Sequence, residues 1–307
     1  MGGVAVGKAA PLREEGEQPR HSLSDATLSS LPVARRAPNR GSPIPLTLGI
    51  TLLYLGLVVL LPLSMTVAWS LRLDGEQLRQ VILSPRVLAA FEVSFGAALV
   101  AATVNGVFGF MTAWVLVRYD FPGKRLLDAL VDLPFALPTA VAGLTLAALY
   151  AQSGWIGAVL IGWGIPVAYT PTGIVVALTF IGLPFVVRTV QPVLMAVDAE
   201  LEEAAAILGA NRWQTFVRVT LPTVLPALLT GVTMALARGL GEYGSVIFIA
   251  GNRPFVSEIV PLLIVTKLEQ YDVAGATALA MLTLALSFAL LLIINLMQAW
   301  ARRNLPR

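Results

Sequence analysis

Residues 273–300 read VAGATALAMLTLALSFALLLIINLMQAW, without a single charged side chain. A helix that crosses a membrane needs about 20 mostly apolar residues, because the hydrocarbon core is about 30 Å thick and each helical residue rises about 1.5 Å. This stretch is long enough to span a membrane as a helix. It therefore predicts that the chain is an α-helical membrane protein.

The rest of the chain repeats this pattern. Of its 307 residues 57% are hydrophobic and 13% charged, with a mean hydropathy of +0.79, whereas soluble domains carry about 25% charged residues. We predict an all-α, polytopic membrane protein with about six transmembrane helices, the other five being at about 44–70, 88–117, 126–150, 172–194 and 223–250. The apolar piece 155–163 is too short to span and is predicted to be interfacial or re-entrant.

The predicted spans divide the chain into three parts. Residues 1–43 are rich in Gly, Pro, Ser and Arg and have no apolar period, which is typical of a disordered tail. Residues 44–300 form the transmembrane domain, and 301–307 form a short C-terminal tail.

If both termini are cytoplasmic, fifteen Lys and Arg residues lie inside and five outside, as the positive-inside rule expects. This topology explains the net charge of +3, so no nucleic-acid partner is predicted.

Several kinds of chemistry are excluded by composition. The chain has no Cys and one His, His21 in the tail, so the usual zinc and copper ligand clusters cannot form. It also lacks the G-x-x-x-x-G-K-[ST] run that wraps nucleotide phosphates. We predict no catalytic, cofactor-binding or metal-binding residues and no cofactor. The spans are expected to contact membrane lipid.

The cytoplasmic loop 195–222 is unusually structured for a connector. Asp198 is a good N-cap and Gly209 a natural helix stop, and acidic residues fill the first turn between them. The pattern predicts a helix of about three turns outside the bilayer. A second short helix is expected to start at Asn211 and to end before Pro222.

The same loop resembles the EAA loop of ABC-transporter permeases. The family pattern is E-A-A, three residues, G, nine residues, a branched apolar residue, one residue and L-P, and this chain has Glu203-Ala204-Ala205, Gly209 and Val219-Thr220-Leu221-Pro222. The resemblance implies an ABC importer type I permease fold, from about the first span to the last. It also implies that an ATP-hydrolysing ABC subunit dimer docks at Glu203, Ala204, Ala205 and Gly209, and that this chain is not itself an enzyme. The alternative is a capped amphipathic helix lying on the membrane surface.

A second resemblance lies in the fifth span. The string Ala237-Arg238-Gly239-Leu240-Gly241-Glu242-Tyr243-Gly244 resembles the A-R-x-x-G-E-[FY]-G signature of sulfate, thiosulfate and molybdate permeases, and residues 245–252 are similar to the first of the two sulfate/thiosulfate permease subunits. The resemblance implies a second, different permease subunit and a periplasmic sulfate-binding protein as partners. It also implies location in the bacterial cytoplasmic (inner) membrane, with multiple spans and both termini cytoplasmic.

Polar residues inside the spans are the candidates for the anion pathway. Charged groups in the bilayer are costly and face a cavity or a partner, and we predict that four residues line the pathway: Arg238, Glu242, Tyr243 and Ser245. Arg238 and Glu242 lie four residues apart, so they could instead form a purely structural pair. Glu92, Asp128 and Asp132 are expected to be interfacial or subunit-contact groups.

The sequence thus predicts a permease subunit that imports sulfate, with thiosulfate, by alternating access driven by a partner ATPase. A molybdate or tungstate permease is the alternative within the same class, since tetrahedral dianions share charge and shape. A secondary anion transporter or channel, which would need no ATPase, is the alternative from another class.

Overall fold

The computed structural model describes residues 46–70 and 74–304. The chain divides into two compact units, Met1–Tyr54 and Leu55–Arg307, and the described part of the first unit is the beginning of one helix. The predicted disordered tail, 1–43, lies outside the described residues. The account below concerns the second unit.

The described residues are almost entirely helical and include no strand. We number the helices in chain order as follows: α1 Leu46–Ser70, α2 Gly75–Ile82, α3 Pro85–Arg118, α4 Lys124–Val131, α5 Leu133–Ala136, α6 Thr139–Tyr150, α7 Trp155–Gly162, α8 Pro171–Met195, α9 Ala199–Ile207, α10 Arg212–Leu240, α11 Val246–Ala250, α12 Val260–Glu269 and α13 Val273–Asn304. The prediction of an all-α chain is confirmed.

Five of these helices are long and apolar enough to cross a membrane, namely α1, α3, α8, α10 and α13. A sixth span is present if α6 and α7, which are bent by 48° at the break between them, count as one. Five or six spans agree with the predicted polytopic architecture. The residues predicted to be interfacial or re-entrant, 155–163, form α7 and so belong to this bent pair.

The predicted third span, 126–150, is not one helix. It is divided into α4, α5 and α6, with breaks at Asp132 and at Leu137–Pro138. Proline has no N–H to donate and disfavours helical backbone in the residue before it, which accounts for the break at Leu137. The apolar segment that completes the sixth span is therefore α6 with α7, and α4 is a separate helix.

Two predicted boundaries around α10 are wrong. The short helix expected to end before Pro222 continues into the span, through a wide π turn at Phe216–Thr220 where the Leu221 N–H donates to the Phe216 carbonyl. At the other end, the span predicted to reach residue 250 stops at Leu240, and α11 follows as a separate helix. Pro222 lies just after the π turn.

Helix α8 is the centre of the second unit and packs against both α3 and α10. Small residues make the approach close: a Cβ added at Gly109 of α3 would lie 2.8 Å from the Cβ of Val186, and one added at Gly231 of α10 would lie 2.9 Å from its Cα. Close backbone approach of this kind is the usual basis of helix packing in membranes. Since Arg118, Met195 and Arg212 lie at one end of this bundle, we call that end the α9 end.

Candidate functional site

Helix α9 forms as predicted and ends at Gly209. Gly209 has a φ of +86° and its N–H donates to the Ala206 carbonyl at 2.9 Å, while the Ala210 N–H donates to the Ala205 carbonyl at 3.0 Å. A left-handed residue closing the last carbonyls of a helix is the role that glycine fills best. Asp198 is the N-cap residue by backbone position, but its side chain accepts no capping hydrogen bond.

The surface of α9 is apolar and open. Glu203 and Ala204 are exposed and Ala205 is half-buried. Around them four large apolar side chains are also exposed, namely Leu201 (52%), Ile207 (86%), Leu208 (87%) and Trp213 (71%). They lie on α9, directly after it, and at the start of α10, and a contiguous set of exposed apolar side chains marks an interaction surface. We call these four residues with Glu203, Ala204, Ala205 and Gly209 the docking surface.

One carboxylate braces the docking surface against the spans. Glu202 accepts from the Arg118 guanidinium at 2.5 Å and from the Thr220 hydroxyl at 2.9 Å, both at Oε1. Arg118 ends α3 and Thr220 lies in α10, so the brace joins three helices. The Arg118 guanidinium also lies 5.3 Å from the centre of the Trp114 ring, within cation–π range. A displacement of α9 would therefore have to break these contacts or move α3 and α10 with it.

Aromatic side chains fill the space behind the brace. The Phe216 ring lies 5.3 Å from Trp114 edge-to-face, 6.1 Å from Phe110 and 5.6 Å from Trp213, all within the usual range for aromatic pairs. A cavity of about 340 Å³ opens beside them, with Glu202 in its wall. The sequence alone does not reveal the brace, because Arg118 and Glu202 are far apart in the chain.

Arg238 lies in the last turn of α10, and its NH1 contacts Oε2 of Glu242 at 2.5 Å. The other carboxylate oxygen of Glu242 accepts from the backbone N–H of Ser245 at 2.9 Å and from its hydroxyl at 3.0 Å. Glu242 is 2% exposed, whereas the Arg238 side chain is 36% exposed. The carboxylate therefore joins the end of α10 to the start of α11, and the guanidinium remains open on one side.

The four predicted pathway residues are thus brought together but differ in access. Glu242 and Ser245 are buried, while Arg238 and Tyr243 are half-buried. Only the latter two could touch an ion in this conformation. Of the glycines beside them, Gly244 is needed for packing, because a Cβ there would lie 2.3 Å from the Thr139 hydroxyl oxygen. A Cβ at Gly241 would meet nothing within 4 Å.

Asp128 and Asp132 were expected to be interfacial or subunit-contact groups, and the structure also gives both a partner within the chain. Both contact Arg188 of α8: its Nε and NH2 donate to Asp132 at 2.8 and 2.6 Å, and its NH1 donates to Asp128 at 2.7 Å. NH1 and NH2 also donate to the Gln191 side chain and the Asp128 carbonyl. All five N–H groups of a guanidinium are therefore used. The sequence offered one signal for this cluster: Arg188 lies inside an apolar run, and Asp128 and Asp132 lie four residues apart in another.

The fold and these features define a class. Five or six apolar helices surround a close-packed centre, and a braced apolar surface lies outside the spans at one end. Such a molecule is a multi-pass subunit of a membrane transport assembly rather than a self-contained domain.

Comparison with known proteins specifies the family. A family model described as "Binding-protein-dependent transport system inner membrane component" matches residues 105–306. The sulfate transport system permease protein CysT of Escherichia coli is 51% identical over 83% of this chain and 92% of its own length, and that of Synechocystis is 49% identical over 83% and 89%. The chain belongs to the family of binding-protein-dependent transport system inner membrane components, and it is a multi-pass inner-membrane protein.

Solved structures agree on the fold. The crystal structure of a bacterial ABC transporter involved in the import of the acidic polysaccharide alginate contains a chain that matches with a TM-score of 0.70, covering 85% of this chain and 95% of that one at 15% identity. At this identity the match concerns the fold alone. The fold is that of an ABC importer type I permease, as the resemblance implied.

Proposed function

We propose that this chain is a permease subunit of an ATP-driven importer of sulfate, and with it thiosulfate. The observation that carries the proposal is the docking surface: an apolar helix outside the spans, braced to α3 and α10, in a chain of this family. A channel or secondary transporter has no need of such a surface, because no energy-supplying subunit binds it.

The docking surface suits a water-soluble ATPase subunit. Ile207 and Leu208 are each more than four-fifths exposed, and burial of such side chains on binding contributes about 1.5–3 kcal/mol each. The sequence has no phosphate-wrapping loop of its own. ATP is therefore hydrolysed by the partner dimer, and this subunit supplies no catalytic residue.

Arg238 is the best-placed cation for a passing dianion. Apart from the contact with Glu242, none of its N–H groups has a partner in the part of the chain that the structure describes. Arg188, by contrast, has no donor left. Glu242 also weakens the field of Arg238, which allows an anion to leave as well as to bind. Tyr243, half-buried beside it, is the second candidate contact.

Sulfate is favoured over molybdate because the curated relatives reported above are named for sulfate. Thiosulfate is a dianion of the same tetrahedral shape, so the same pathway suits it. A molybdate or tungstate permease remains the alternative that the test below distinguishes.

The other partners follow from the same proposal. A second, different permease subunit completes the pathway, and a periplasmic sulfate-binding protein delivers the dianion at the end opposite α9. The α9 end is then cytoplasmic, together with both chain termini, in agreement with the charge distribution.

Uptake of radiolabelled sulfate tests the proposal. The chain is expressed with its neighbouring permease, ATPase and binding protein in cells that lack sulfate uptake. We expect uptake that depends on ATP and is inhibited by thiosulfate more strongly than by molybdate. Uptake without the ATPase subunit, or a preference for molybdate, would contradict the assignment.

A further inference from the structure

Glu92 is an acidic residue with no partner on a membrane-spanning helix. It lies about two turns from the start of α3, its side chain is exposed, and it forms no hydrogen bond or ion pair with any residue that the structure describes. An ionised carboxylate inside a span is costly unless a cation or a water-filled cavity accompanies it. The acidic residue is therefore a candidate for pairing with a cation from outside the described residues.

A cavity lies directly over this carboxylate. Its volume is about 390 Å³ and its wall contains Glu92, two small or branched residues of the same helix, Gly96 and Val100, and two residues of other elements, Pro171 and Phe255. Sites that hold small ligands measure about 300–1,000 Å³. The cavity is therefore large enough to hold one long side chain. Apart from Glu92 its wall is mostly apolar, which strengthens the attraction between the carboxylate and a cation.

Phe255 is held at the cavity by a strained and rigid loop. Its φ of +63° is an unfavourable backbone conformation for a bulky residue. Its side chain is also 60% exposed, although it is large and apolar. The N–H groups of Val256, Ser257 and Glu258 all donate to the Arg253 carbonyl. Residues in strained conformations persist where surrounding contacts fix them, and they cluster at binding sites.

The same loop is anchored to α3. The Glu258 carboxylate, buried, accepts two hydrogen bonds from Arg86, each of 2.7 Å. This bidentate contact uses the carboxylate fully and commits Arg86, so Arg86 does not neutralise Glu92. The wall of one cavity thus holds both the aromatic ring and the free carboxylate.

We propose that this cavity, which we call the Glu92 cavity, receives a lysine or arginine side chain from a spanning helix of the second permease subunit. The carboxylate pairs with the cation, and the exposed face of Phe255 adds a cation–π contact. Gly96 lets the partner helix approach closely. The inference rests on the proposed function in one respect, namely that a second, different permease is present.

The partner must lie in the membrane rather than in the water outside it. The exposed face of α3 continues from Glu92 toward the other end of the helix with Val100 (51%), Val107 (55%) and Met111 (55%), spaced to lie on one side of a helix. A soluble protein could not follow this face through the bilayer. The substrate itself is a poor occupant, because a carboxylate repels a dianion.

A single cysteine at position 92 gives the direct test. The natural chain has no cysteine, so Glu92→Cys is the only thiol in this subunit. A membrane-impermeant maleimide is applied in detergent to the complete transporter and to the isolated subunit. We expect labelling about tenfold slower in the complete transporter, because the partner side chain covers the thiol.

The other labelling results would overturn the proposal. Equal, rapid labelling in both samples would place position 92 on a water-filled pathway. Equal absence of labelling would place it in lipid or detergent. Sulfate uptake by the Glu92→Cys transporter is measured in parallel, so that failure of the Glu92 cavity is distinguishable from failure of the proposed function.

Charge reversal provides the second measurement. Glu92→Lys should lower co-purification of the second permease about tenfold or more, since like charges then meet in a place of low dielectric. The matched control is Glu269→Lys, which reverses an exposed carboxylate without a partner at the same end of the bundle and should change co-purification less than twofold. Equal co-purification in the two variants, or cross-linking of Glu92→Cys to a second copy of this chain, would overturn the proposal.

Discussion

At the scale of single residues, three arginines in apolar helices have different roles. Arg86 is committed to Glu258 by two hydrogen bonds, and Arg188 uses all its donors on α4, α5 and its own helix. Arg86 and Arg238 both keep donors free, and the side chain of each is 36% exposed. A guanidinium without free donors cannot bind an anion, so Arg188 is structural. Arg238 differs from Arg86 in having a single contact with its carboxylate instead of two.

Arg238→Gln should reduce sulfate uptake about tenfold while the amount of assembled transporter stays close to wild type. Loss of one hydrogen bond to a charged group costs about 1.5–3 kcal/mol, and about 1.4 kcal/mol corresponds to a factor of ten. Uptake is measured per molecule of purified complex. The double variant Arg238→Gln with Glu242→Gln should not recover, because the missing cation is still missing.

Arg188→Gln is the matched comparison. It should lower the yield and Tm of the subunit, because it leaves the two acids of α4 and α5 without their partner. Recovery of uptake to near wild type in the Arg238/Glu242 double variant would show that this pair is only structural.

A pH effect is expected from Asp272, which lies outside the spans, before α13. The Lys267 ammonium at 2.7 Å lowers the pKa of the Asp272 carboxyl below its ordinary value, and the Gly275 N–H at 2.8 Å acts in the same direction. A lowered pKa in the folded state means that the carboxylate stabilises the fold above its ordinary pKa. That stability is lost as the pH falls through the lowered value.

Asp272→Asn should therefore lower the Tm of the purified subunit near pH 7 and have progressively less effect toward pH 3. Asparagine can still accept from the Gly275 N–H, so the loss is that of the ion pair with Lys267, about 0.2–1 kcal/mol for a pair this exposed. A thermal unfolding series across pH measures the difference between the variant and wild type. A difference that grows on acidification would contradict the assigned sign.

At the scale of elements, the docking surface depends on how α9 ends. Gly209 turns the chain with a φ of +86°, and no atom beyond its chain neighbours lies within 4 Å of a Cβ added there. Glycine is thus required at position 209 because the backbone there has a positive φ, and not because neighbouring atoms leave no room for a side chain. The turn lies between α9 and the start of α10, so it sets the relative direction of these two helices.

Gly209→Val should weaken co-purification of the ATPase subunit and reduce uptake, because a branched residue with positive φ costs more than the roughly 1–2 kcal/mol of an ordinary residue. Its control is Gly162→Val in α7, where a Cβ also meets nothing within 4 Å and φ is not positive. The ratio of sulfate transported to ATP hydrolysed is measured in vesicles. Equal ratios in the two glycine variants would contradict a docking role for this turn.

Packing of α8 is a second property of elements, and two glycines of α3 test it. Gly109→Ala should destabilise the subunit by about 1–3 kcal/mol, the usual cost of overpacking, because its Cβ would meet Val186. Gly96→Ala, on the same helix, meets nothing within 4 Å and should change stability by less than about 0.5 kcal/mol. Thermal unfolding of the purified subunit in detergent compares them. Similar Tm values would show that α3 and α8 pack less closely than described.

At the scale of the whole molecule, the described part of the chain leaves large apolar surfaces uncovered. Residues of α1 are exposed along most of its length, and many residues of α13 are exposed from Leu284 onward, although both helices are strongly apolar. In a membrane these faces meet lipid or another subunit. The docking surface and the Glu92 cavity lie at opposite ends of the bundle. The proposed partner of the docking surface is a soluble subunit, and that of the Glu92 cavity is a subunit in the membrane.

The sequence by itself determined the membrane class, the helices and the family. Runs of apolar residues require helices in a bilayer, because backbone polar groups there must be satisfied within the segment. The spacing of Glu203, Gly209 and Leu221-Pro222 specified the loop. These are local properties, read within one stretch of chain, and they do not depend on how the helices pack.

Only the tertiary structure decided which charges meet. Arg188 with Asp132, and Arg118 with Glu202, join residues that are far apart in the chain, and sequence periodicity carries no information on such pairs. It also decided that residues 126–150 break into α4, α5 and α6, and that α6 pairs with α7 as a broken span or a re-entrant loop. The physical reason is that a buried charge needs its partner at hydrogen-bond distance. Which partner reaches that distance is set by the packing of helices around α8 and not by any single segment.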